Sequence, residues 1–130
     1  MSSIFSKIVT GEIPSYKIAE SENFLAFLDI FPLAKGHTLV IPKKETDYIF
    51  DMDSEEYKKL WAFAQKVAKA QKKVIPCARI GVAVIGLEVP HVHIHLVPIT
   101  GVSDIDFSRP KLHFVKKEME QVASDIASLL

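Results

Sequence analysis

The chain has 130 residues, of which 48% are hydrophobic, enough for one domain to bury a core without disulfides or a metal staple. Lysine plus arginine balances aspartate plus glutamate at 16 each, so no net field favours nucleic acid or anionic lipid, and an anionic ligand needs a local site. The single cysteine, Cys77, excludes an intramolecular disulfide. Residues 1–10 lack the apolar run of a secretory signal and no stretch approaches a membrane span of about 20 residues, so the expectation is a cytoplasmic protein that binds neither nucleic acid nor membrane.

In chain order, SIFSKIVTGEIPS begins with a short amphipathic helix in which Ile4, Phe5, Ile8 and Val9 share a face, and Gly11 and Pro14 stop it. YKIAE and FLAFLDI read as two hairpin strands, and HTLVIP, after the turn at Lys35-Gly36, as a third. A long helix is expected from about Ser54 to Val74, capped by Asp53, striped by Tyr57, Leu60, Trp61, Ala64 and Ala68, and ended by Pro76. ARIGVAVI and HVHIHLV read as two further strands around a tight connection at Gly86 to Pro90. Val115, Met119, Val122, Ile126 and Leu129 recur at helical spacing towards the C-terminus. With no repeat, linker or low-complexity tract, residues 1–130 form a single α+β domain of about five antiparallel strands, a long central helix and a C-terminal helix.

The segment PHVHIHLVP carries the chemistry. On a strand His91, His93 and His95 share one face, with Val92, Ile94 and Leu96 on the core face, and Pro90 and Pro98 mark its ends. Three readings are open: polar residues on a solvated face, a metal site, or nucleophilic catalysis. Imidazoles at i and i+2 can share one ion, but the outer pair lies roughly 13 Å apart at a rise of about 3.3 Å per residue, so all three do not converge. Further ligands would have to come from His37, Glu88 or Asp29. A histidine with a pKa near about 6.5 is largely neutral at pH 7 and keeps a lone pair, so it can attack a phosphorus electrophile without an activating base. Its neighbours can then bind developing charge or move protons.

H-V-H-I-H-L-V resembles the histidine triad (HIT) signature, and IFSKIVTGEIPS, FLAFLDIFPLAKGHTLVIPKK and GLEVPHVHIHLVP support the resemblance in order, across residues 3 to 98. The resemblance implies the HIT-like fold, usually a homodimer, and hydrolase or transferase activity on a purine nucleotide or nucleotidyl conjugate, with a phosphoramidase reaction as the leading form. It implies that His93 attacks the α-phosphorus, that His91 orients it through its backbone carbonyl, and that His95 and His37 contact phosphate or leaving group. It also implies that Asp29 accepts from ribose hydroxyls. Phe5, Ile13, Phe27, Leu28 and Ile30 match positions that line the purine pocket.

Two departures alter what is expected. Many bacterial members carry Cys-x-x-Cys near the start and a histidine after the P-K-K turn for a structural zinc, where this chain has Ser3, Ser6 and Glu45. Serine hydroxyls are poor zinc ligands, so neither a metal nor a cofactor is expected. The Asn-containing, glycine-rich connection that usually precedes the triad is shortened to VIGLEVPH, with Leu87 at the glutamine position and Glu88 expected to face solvent. Losing one preorganised donor can cost on the order of 100-fold in rate, so a nucleotide-binding or partner-binding module with weak turnover is the alternative reading.

Overall fold

The structure is a computed structural model that describes residues 2 to 130. Its elements are α1 (Ile4–Thr10), β1 (Lys17–Glu20), β2 (Phe24–Leu28), β3 (Thr38–Pro42), α2 (Ser54–Val74), β4 (Arg79–Ala83), β5 (Ile94–Ile99) and α3 (Lys116–Ala127). The five strands form one antiparallel sheet in the order β1-β2-β3-β5-β4, so the last strand inserts between β3 and β4. The α+β class, the five-stranded antiparallel sheet, the long helix and the C-terminal helix agree with expectation.

Local chemistry sets the boundaries. Ser3 caps α1 by accepting from the Ser6 amide, and Gly11 closes it at φ 85°. The Asp53 carboxylate accepts from the Glu55 and Glu56 amides at the start of α2. β2 stops two residues earlier than FLAFLDI suggests, because Asp29 Oδ1 accepts from the Phe31 amide at 2.9 Å and turns the chain. The last strand starts three residues later than the sequence pattern suggests. His91 N–H bonds to Val89 O at 2.8 Å and Val92 N–H to Thr46 O at 2.7 Å, so His91 and His93 lie in the lead-in and only His95 is in β5. Pro98 lies inside β5, opposite Ile80, rather than ending it. The β3 pairing stops at Leu96, so the missing N–H is not needed on that side.

Strand alternation divides the apolar residues between two layers. Ala26, Leu28, Val40, Ile94 and Leu96 face the main core, where Leu60, Ala64 and Val67 of α2 and Met119, Val122 and Ile126 of α3 cover them. Leu25, Phe27, Leu39 and Ile41 face the other way and meet Phe5 of α1. Both sheet faces are therefore covered, and the histidines emerge on the face that α1 only partly roofs.

Candidate functional site

A cavity of about 490 Å³ opens on that second face, with Phe5, Phe27, Asp29, His37, His93 and His95 in its wall. β3 and its lead-in turn place His37. Gly36 adopts φ 86°, and a Cβ there would lie 2.7 Å from the Ile75 side chain, so the turn before His37 requires glycine. β5 places His95 in register between Leu39 and Ala83. Helix α2 ties the two carriers together: the fully buried Gln71 donates from Nε2 to Gly36 O at 2.8 Å and to Leu96 O at 2.9 Å. The sequence pattern did not single out Gln71, because a lone glutamine in a lysine-rich helix looks like part of a solvated face.

The hydrogen bonds assign the tautomers. His93 Nδ1 lies 2.7 Å from His91 O, and a carbonyl only accepts, so Nδ1 carries the proton and Nε2 keeps its lone pair. His91 Nε2 donates to Pro42 O at 2.8 Å, so its Nδ1 accepts, here from Ser3 Oγ at 2.7 Å. On the other side the Leu33 amide donates to His37 Nδ1 at 3.0 Å. Neutral His37 then donates from Nε2 to His95 Nδ1, also at 3.0 Å, leaving the Nε2–H of His95 as a donor.

Burial keeps these imidazoles neutral. Desolvation lowers all four pKa values, with His37 brought to about 4 and His95 to about 3, where neighbouring imidazoles add to the effect. Burial also raises the Asp29 carboxyl above the usual carboxylate value. Phe5 sets its ring edge-on to His93 at 4.8 Å between centroids, and Phe107 does the same to His95 at 4.6 Å.

The expected site residues are brought together, with three differences. His91 is fully buried and is held behind the cavity, with both nitrogens engaged, so a metal held by His91 and His93 is not available. Leu28 borders the cavity, but its side chain belongs to the α2 and α3 core on the opposite sheet face. Glu88, expected to turn away, is exposed yet stands on the cavity rim beside Leu87, and its charge favours protonation of His93. Asp29, Ile13 and Ile30 lie in the wall as expected. Phe107 and Lys111 were missed, since nothing in the spacing of the C-terminal segment points to the histidines.

Two groups bear on metal binding. Ser3, Ser6, Glu45 and His91 cluster, but their donors are spent on one another: Ser6 Oγ donates to Glu45 Oε1 at 2.7 Å and Ser3 N–H to the same oxygen at 2.6 Å. Two hydroxyls, one carboxylate and an imidazole that is already bonded do not fit a structural zinc. Asp29, His37 and His95 bring three ligand-type atoms within 4.8 Å of one another, and there the His37–His95 hydrogen bond uses the two inner nitrogens.

No helix among the described residues is long and apolar enough to cross a membrane. The HIT domain family model matches residues 10–101. A crystal structure of a Hit-like protein from Bartonella henselae superposes with a TM-score of 0.86 at 33% identity, covering 99% of this chain and 96% of that one. The Bacillus subtilis protein named hit is 34% identical over 98% of this chain and 93% of its own length. An adenosine 5′-monophosphoramidase of Saccharomyces cerevisiae is 40% identical over 73% of this chain and 61% of its own length. With the model matching well over half of the sequence and the histidines gathered at one cavity, the chain belongs to the HIT domain family.

Proposed function

We propose that the protein is a nucleotide hydrolase that cleaves a nucleoside 5′-phosphoramidate, or a related nucleotidyl conjugate, at the α-phosphate through a covalent nucleotidyl-His93 intermediate. The observation that carries this reading is the 2.7 Å bond from His93 Nδ1–H to His91 O, which leaves a lone pair on Nε2 of a residue that lines the cavity. Similarity to a monophosphoramidase adds support.

In this reading Nε2 of His93 attacks phosphorus, the N–P bond to the new intermediate forms and the bond to the leaving group breaks. The Nε2–H of His95 binds a phosphoryl oxygen. A bound phosphate offsets the desolvation of that imidazole and raises its pKa, so the protonated form can pass its proton to the leaving nitrogen. Water, giving a proton to the now neutral His95, then attacks the phosphorus of the intermediate, and the bond from phosphorus to His93 Nε2 breaks to release the nucleoside monophosphate and free His93. Asp29 uses Oδ1 for the Phe31 amide and has Oδ2 to accept from ribose, while Phe5, Phe27, Ile13 and Ile30 supply apolar walls for a purine. No metal takes part. A homodimer belongs to the same proposal: β4 is an outer strand with Val82 about half exposed, so one of its edges is open to a second copy.

Leu87, 90% exposed on the rim and unable to donate a hydrogen bond, favours a second reading in which the pocket binds nucleotide with little turnover. The test is AMP release from an adenosine phosphoramidate by wild type and His93→Asn, with and without chelator. Chelator-resistant release lost by roughly 1,000-fold or more in the variant is expected. Nucleotide binding without release by the wild type would replace this reading with the second, and release that chelation abolishes and metal restores would overturn the metal-free chemistry.

A further inference from the structure

Among the described residues the cavity wall contains three imidazoles, those of His37, His93 and His95, and carboxylates but only one permanently charged cation, which lies outside the region matched by the family model. That cation is Lys111, carried on the segment between β5 and α3. The segment is pinned at several points: Asp104 Oδ2 accepts from the Thr100 and Gly101 amides at 2.8 and 2.9 Å, Arg109 Nη1 donates to Ser103 O at 2.6 Å, and the Leu112 amide donates to Pro32 O at 2.8 Å. Phe107 anchors it against His95 and reaches His37 at 6.4 Å between centroids.

The Lys111 ammonium is positioned rather than free. Nζ donates to Phe107 O at 2.6 Å and to Arg109 O at 3.2 Å, which leaves one of its three N–H groups for a ligand. Among the described residues it has no carboxylate within 4.0 Å, although its charge is felt by both Asp29 and His37. A dianionic phosphate entering a pocket of neutral imidazoles, with Asp29 beside it and Glu88 on the rim, needs a compensating positive charge.

We propose that Lys111 is the phosphate-binding cation of this pocket, so that the C-terminal segment selects ligands carrying a 5′-phosphoryl group over the bare nucleoside. This rests on the reading that the pocket takes a nucleotide, and deepens it. Neutral imidazoles orient and react, while Lys111 supplies the attraction for the anion.

Isothermal titration of AMP and of adenosine into the wild type, Lys111→Met, Lys111→Arg and, as a surface-charge control, Lys117→Met separates the terms. Loss of one charge-assisted contact should weaken AMP binding by about 10-fold in Lys111→Met, with adenosine changed by less than about 2-fold and AMP affinity largely restored by arginine. The salt dependence of AMP binding should flatten in the methionine variant alone. Equal AMP affinity in wild type and Lys111→Met, or equal weakening of AMP and adenosine, would overturn the assignment while leaving a nucleotide site in place. A wild type that binds neither would overturn the functional reading beneath it. Methionine keeps the alkyl stem, and a matching thermal unfolding midpoint shows that the segment still docks.

Discussion

The two ends of the histidine run use the same side chain in opposite ways. At the His91 end both ring nitrogens are consumed by protein, Nδ1 by Ser3 Oγ and Nε2 by Pro42 O, and the residue is wholly buried. At the His95 end the ring accepts from His37 and lines the cavity with a donor to spare. His93 sits between, tied to the first by its Nδ1–H and lining the cavity with the second. Rigidity at one end thus fixes the tautomer at the centre, and openness at the other leaves groups for a ligand.

This contrast can be broken from the closed end first. His91→Ala removes a fully buried ring and leaves Pro42 O and Ser3 Oγ without their partner, so unfolding in urea should show a loss of roughly 3 kcal/mol, whereas His95→Ala, at a residue facing a cavity, should lose clearly less. An equal loss at the two sites would remove the distinction. Gly36→Ala should follow at about 2 kcal/mol, since alanine at φ 86° is strained and its Cβ meets Ile75, and His37 should be displaced with it. NMR shifts of the His37 and His95 rings would report that displacement directly.

Acid sharpens the open end. The folded pKa values of His37 and His95, about 4 and about 3, lie below the unfolded value of about 6.5, so between these limits the unfolded chain binds more protons than the folded one. The stability contributed by these neutral rings is present above pH 6.5 and is lost as pH falls through that value towards 3. The thermal midpoint should therefore drop over this window, with less of a drop in His95→Gln. The smallest effect is expected for Ser3→Ala, at about 1 kcal/mol, because it removes one cap and one bond to His91 while the ring keeps Pro42 O.

Sequence pattern revealed most of the frame and the centre of the site. FLAFL and TLVIP read as strands and form β2 and β3, and α2 begins and ends where Asp53 and Pro76 place it. The histidines were legible because three share one short segment. Long-range partners were not: the bonds of Ser3 to His91 and of Gln71 to Gly36 and Leu96 join residues distant in sequence through ordinary polar side chains. The strand start was misplaced because period-2 spacing persists through a lead-in whose amides bond to Val89 and Thr46 instead of to a neighbouring strand. Lys111 was invisible for a related reason, since its role depends on how the segment after β5 folds back to the cavity.

The central claim is that His93 itself bonds to the substrate phosphorus. Intact-mass analysis of protein mixed briefly with an adenosine phosphoramidate and quenched under alkaline denaturing conditions, which preserve a phosphorus–imidazole bond, tests it directly. The account predicts the added mass of one adenylyl group on His93, located by peptide fragmentation and absent from His93→Asn. AMP formation with no adduct under single-turnover conditions, or an adduct on another residue, would contradict it.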